Sequence, residues 1–209
     1  MGTEGAKAIA EALGAGKAVL TDLNLNFNGI GAEGAKAIAE ALGSGKAVLT
    51  VLKLRNNSIG NDGAKAIAEA LGSGKTVLKK IELSYNQIKD EGAIAIGRSL
   101  KTNSTLEELE LVECGIGAKG AKAIAVSLKE GIAVLTNLDL SDNSIRTDGA
   151  VAIADALKLR TAVLTDLNLE NNEIGPDGAV AIASALKLNA VLKKLVLSDN
   201  SIENIGAIA

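Results

Sequence analysis

The chain has 209 residues, a net charge of −3, 47% hydrophobic residues and only 1% aromatic ones. It has no His, which excludes His-based catalysis and His metal ligands, and its charge balance gives no reason to expect a nucleic-acid or membrane partner. One Cys excludes an intrachain disulfide and fits a reducing compartment; with no leader-like start and no apolar run approaching 18 residues, the expected location is the cytoplasm.

The chain opens in a helical pattern, GTEGAKAIAEAL (2–13), and passes to an alternating segment, LTDLNLNFNGI (20–30). That segment recurs as LTVLKLRNNSI, LKKIELSYNQI, LEELELVECGI, LTNLDLSDNSI, LTDLNLENNEI and LKKLVLSDNSI. The leading residues are Leu20, Leu49, Leu78, Leu106, Leu135, Leu164 and Leu192, spaced 28 or 29 apart. The one-residue difference falls just before the alternating segment, as expected of a surface loop. Alternation of the L-x-L type is strand periodicity. A Gly follows 14 residues after each leading Leu, and a helical pattern such as GAKAIAEAL (34–42) follows the Gly. Ala35, Ile38 and Leu42 share one face of that helix, while Lys36 and Glu40 point away. A strand and a helix in under 30 residues, repeated without a break, demand parallel strands side by side. Helices are wider than the strand spacing of roughly 4.8 Å, so the sheet side curves inward. The organisation expected is one array over 1–209: a partial unit (1–19), six full units (20–191) and a partial seventh (192–209).

The pattern L-x-x-L-x-L-x-x-N/C-x-I in 28/29-residue units resembles the leucine-rich repeat. The helical half resembles the ribonuclease-inhibitor-like class, found also in NOD-like receptors and Ran GTPase-activating proteins. The resemblance covers essentially the whole chain. It implies an α/β solenoid, a horseshoe with parallel strands on the concave face and helices on the convex face. It implies a non-catalytic protein-binding module, with no cofactor and no common active site. It also raises regulation of a small GTPase as an alternative.

Three motifs suggest other chemistry. GSGKT (72–76) ends like a P-loop, but the first Gly position of that motif is Glu69 and the order is helix, loop, strand rather than the reverse. Gly72 is expected to end the helix. GIGAEG (29–34) and GIGAKG (115–120) match G-x-G-x-x-G and do run from strand to helix. Only the middle Ile and last Gly persist across the units, so the Ile reads as core and the Gly as a tight turn into the helix. Asn28, Asn57, Asn86, Asn143, Asn172 and Asn200 share one slot, suited to bonding backbone groups in the turn. Cys114 fills that slot in the fourth unit and reads as structural, since no His exists to activate a thiolate.

Strand residues two, four and six places after the leading Leu are expected on the concave face, with the seventh at its rim. In the fourth to sixth units these positions hold seven acids and no base: Glu108, Glu110, Glu113, Asp139, Asp142, Asp166 and Glu170. A wall of one charge attracts an opposite partner, here a basic protein segment. A simply solvated polar face is the equal alternative. Lys53, Arg55 and Tyr85 complete the candidate site, because binding hot spots favour Tyr and Arg. Neither end of the chain has a polar cap, which leads us to expect partial exposure of the last strand near Leu195 and Leu197 and of the Ile/Ala helix flank. The expectation that follows is an engineered or excised scaffold, or homo-oligomers formed through the ends.

Overall fold

A computed structural model describes residues 1–130, 132, 134–159 and 163–203. Helices and strands alternate throughout. The helices are α1 (Gly2–Gly14), α2 (Gly31–Gly43), α3 (Gly60–Gly72), α4 (Lys89–Leu100), α5 (Ala118–Glu130), α6 (Arg146–Leu157) and α7 (Gly175–Leu186). Between them run β1 (Asp22–Asn24), β2 (Val51–Lys53), β3 (Lys80–Glu82), β4 (Glu108–Glu110), β5 (Asn137–Asp139), β6 (Asp166–Asn168) and β7 (Lys194–Val196). The strands form one parallel sheet in chain order, each in register with the next. This is the α/β solenoid of alternating parallel strands and helices that the resemblance implies.

Every internal unit buries the same set. Leu49, Leu52, Leu54 and Ile59 of the second unit are at most 1% exposed, and Ile67 and Leu71 of α3 meet them from the helix side. Burial of each such side chain contributes roughly 1.5–3 kcal/mol. At the first unit Leu20 is half exposed and Leu23 only partly buried; at β7 Leu195 and Leu197 are likewise partly buried. The partial exposure expected at the last strand is therefore present. The Ile/Ala flank that was expected to follow, including Gly206, lies outside the described residues.

Two glycine assignments need correction. The helices begin three residues before the recurrent Gly, or two in α5, so Gly34, Gly63 and their equivalents lie inside the first helical turn, not in a turn before it. Their role is close packing: a methyl at Gly34 would run into Ile30 and sit 2.9 Å from the Ala6 Cβ of the previous helix. At Gly63 the same methyl would meet Ile59 and stand 3.0 Å from Ala35. At these points adjacent helices approach through Gly and Ala. Likewise α3 continues through Gly72, and the left-handed residue that ends it is Gly74, at φ 70°. Gly16 and Gly45 adopt the same conformation in their loops. The shorter units replace that turn with an Asn, a signal the sequence carried unread. Asn103 donates to Leu71 O at 2.9 Å and accepts from the N–H groups of Thr105 and Leu106. Asn189 repeats the arrangement on Leu157 O, Val191 and Leu192.

Candidate functional site

The concave face is positioned by the turn that leaves each strand. At Asn57, Asn86, Asn143 and Asn200 the Asn of that turn donates three hydrogen bonds and accepts two. Asn57 Nδ2 reaches Leu25 O (2.8 Å), Leu54 O (2.9 Å) and Arg55 O (3.1 Å), and its Oδ1 accepts from the N–H groups of Asn28 and Ile30. Asn86 repeats this one unit later. Each Asn therefore satisfies carbonyls and amides of two neighbouring units, as buried backbone groups require. Cys114 fills the slot with a thiol that donates to Leu83 O at 3.3 Å. Burial pushes that thiol up to about 11, against the opposing pull of the Asn86, Tyr85 and Ile88 backbone N–H groups. It is a neutral packing group, as the sequence implied.

The strand register brings Glu108 beside Lys80 and Asn137, Glu110 beside Glu82 and Asp139, and Asp166 beside Lys194. The strand centres face the core while these flanking side chains are only partly buried. Glu108, Glu110, Asp139 and Asp166 line a groove of about 160 Å³, closed by Asn137, Asn168 and Lys194. The wall is more compensated than the count of acids suggests. Lys80, from the unit before it, places Nζ 2.8 Å from Glu110, 3.2 Å from Glu108 and 3.4 Å from Glu82. Burial works against that ammonium, but the hydrogen bonds and charges of Glu110 and Glu108 outweigh it and hold its pKa above the usual 10.5. Asp139 accepts from Ser141 N–H and O–H and from Asn168 Nδ2. Asp142 accepts from Asn171, Glu170 from Ser198, and Asp166 from Thr165. Glu113 sits at the rim with φ 48°. Register neighbours across the unit boundary, not the residues within a unit, were the signal that pointed to Lys80.

Lys53, Arg55 and Tyr85 lie on the preceding strands and their exits. Lys53 pairs with Glu82 at 3.4 Å. The Arg55 guanidinium carbon stands 4.3 Å from the Tyr85 ring centre and 6.0 Å from that of Phe27. Phe27, seven residues after Leu20, belongs with these residues.

The phosphate-like motifs have other occupations. In GSGKT the Ser73 hydroxyl bonds Ala70 O and accepts from Lys75 N–H, so the loop is a helix terminus running into β3. In GIGAKG the amides of Gly117 and Gly120, at the start of α5, both donate to Asp90 Oδ1, at 2.7 and 2.8 Å. A carboxylate from the neighbouring helix thus takes the place of an anion there. Among the described residues, no group of three or more His, Cys, Asp and Glu is placed to hold a metal ion. No described helix is long and apolar enough to cross a membrane.

The Leucine Rich repeat family matches seven segments of the sequence: 17–39, 46–68, 74–97, 102–125, 133–154, 162–183 and 188–209. The chain belongs to the leucine-rich-repeat family. Each matched segment contains one strand and the turn that carries the Asn or Cys114 slot, so the family pattern coincides with the repeat seen in the fold. Among solved structures the chain is similar to "Leiomodin-1 Actin-Binding Site 2 (ABS2)", at 22% identity and a TM-score of 0.49, over 90% of this chain and 76% of that one. No curated protein matches the sequence.

Proposed function

We propose that this leucine-rich-repeat array is a non-catalytic protein-interaction module that binds a basic protein segment along the concave strands β4 to β6. The observation that carries the reading is the register of Glu110 with Asp139 in a groove bordered by Glu108 and Asp166. Four carboxylates on adjacent strands set a negative potential that steers a cationic chain and fixes its register. Lys80 and Lys194 bound the groove on either side, which confines the site to a stretch three strands wide. A reducing cytoplasmic setting suits the free thiol of Cys114.

The test is titration with an oligolysine peptide, comparing the parent chain with Glu110→Lys and Asp139→Lys. The reading expects saturable, salt-sensitive binding that each reversal weakens about tenfold. Equal affinity for all three proteins overturns it.

A second reading, end-to-end association of copies, is favoured by the apolar surface at the first unit, where Val19 is 87% and Leu20 43% exposed. Light scattering over a concentration series checks it; a constant mass near 21 kDa removes it.

A further inference from the structure

The sequence holds one Phe and one Tyr and no Trp; Phe27 is exposed, Tyr85 half-buried, and both rings stand against a single Arg. The core does not require them, since Leu, Ile and Ala fill it. Phe27 is 66% exposed. Both rings occupy the slot seven residues after the leading Leu, where the backbone is left-handed at φ 60° and 62°. Four of the other five units place Asn56, Asp142, Asn171 and Asp199 there, residue types that tolerate this conformation, and the fifth places Glu113. A bulky side chain is strained in it, so neither packing nor backbone geometry favours an aromatic at these two positions.

Arg55 adds an independent observation. Its Nε is buried and has no hydrogen-bond partner. No carboxylate pairs with it among the described residues, whereas Lys53 and Lys80 are both engaged by acids. The guanidinium is held against the Tyr85 face, which fixes its plane before any partner arrives. Arg so held loses little freedom on meeting a carboxylate, and its fork matches that group bidentately.

We propose that Phe27, Arg55 and Tyr85 form a docking site for an acidic peptide segment. Arg55 takes one carboxylate of that segment, and the two rings cover the apolar side chain next to it. The neighbouring Asn24, Asn26 and Asn56 are uncharged, and Glu82 of the next strand is already paired with Lys53 and Lys80. The site occupies the first three units and is independent of the acidic groove on β4 to β6. Together the two sites would select a partner whose acidic and basic segments lie in a fixed order along the sheet.

The experiment exploits the single Tyr. With no Trp in the chain, tyrosine fluorescence reports on Tyr85 alone. The probe is a capped peptide of four glutamates around one leucine, free of aromatic residues; its control carries glutamine at the four acidic positions. The expected result is a saturable fluorescence change with a dissociation constant below about 1 mM, and no saturation with the glutamine peptide. Calorimetric titration should show binding weakened at least about tenfold in Arg55→Gln and Phe27→Ala, and by an intermediate factor in Arg55→Lys, which keeps charge but loses the fork. Circular dichroism melts confirm that these surface variants fold. Equal affinity for the glutamate and glutamine peptides, no saturation at several millimolar, or full affinity in Arg55→Gln overturns the proposal.

Discussion

Lys80 Nζ stands 2.8 Å from the Glu110 carboxylate across the β3–β4 boundary, and the same ammonium reaches Glu108 and Glu82. One cation therefore holds three acids of the concave face together. Replacing it by Met leaves Glu108 and Glu110 with no counter-ion, while Glu82 keeps Lys53. Lys80→Met should lose about 1.5–3 kcal/mol at pH 7, the usual worth of hydrogen bonds to charged groups. It should also bind oligolysine more tightly than the parent. Because the Lys80 pKa is raised, its contribution is fully present below pH 10.5 and is lost only as pH rises through the shifted value. Denaturant melts from pH 6 to 10 should show a constant gap between parent and variant.

Asn57→Ala should be among the most damaging single changes. It leaves the N–H groups of Asn28 and Ile30 without an acceptor and takes one of two donors from each of the Leu25, Leu54 and Arg55 carbonyls. A loss of about 3 kcal/mol or more is expected, since each buried group left unpaired costs about 1–3 kcal/mol. Asn28, half-buried in the first unit, should cost less on the same substitution. Urea midpoints of the two variants give the comparison.

The Cys114 thiol should resist Ellman's reagent at pH 8 in the folded chain and react on unfolding. Its folded pKa, about 11, lies above the ordinary 9.0. The unfolded chain ionises first as pH rises, so stability is intact below pH 9 and falls between pH 9 and 11, by about 2–3 kcal/mol. Cys114→Ala should remove that component of the alkaline decline. A decline of the same size in the variant would assign it elsewhere.

Thr76→Ala should stabilise the fold by about 1 kcal/mol. The Thr76 hydroxyl is buried without a partner, and the equivalent positions in the first two units are Ala18 and Ala47. Burying an unpaired hydroxyl costs about 1–3 kcal/mol, partly offset by the packing of the extra methyl. A lower melting temperature for the variant would show that the methyl outweighs the hydroxyl.

Phe27→Asn should raise stability by up to about 1 kcal/mol, the strain of a bulky residue in the left-handed region. The same variant should lose the acidic-peptide affinity proposed for the Arg55 site. A stability gain joined to a binding loss is what a residue retained for recognition produces. Calorimetry and thermal melts on one preparation read both.

The repeat made most of the fold legible. Leu52, Leu54 and Ile59 recur at fixed offsets because each unit buries the same positions against its neighbours, so periodicity is a direct image of the core. The Asn slot was legible for the same reason. Glycine was misread where one residue type serves two ends: Gly34 avoids a steric clash with Ala6, and Gly74 supplies a left-handed turn, and the letters do not distinguish these roles.

The sequence by itself determined the period, the parallel order of the strands and which side chains face away from the core, since these follow from spacing along one chain. Only the tertiary structure decided how the facing residues combine. Lys80 neutralises acids about thirty residues away, Asp90 caps the amides of the next helix, and Arg55 lies between rings from the units on either side. Each of these contacts crosses a unit boundary, where side-chain reach and rotamer, rather than repeat position, settle which groups meet.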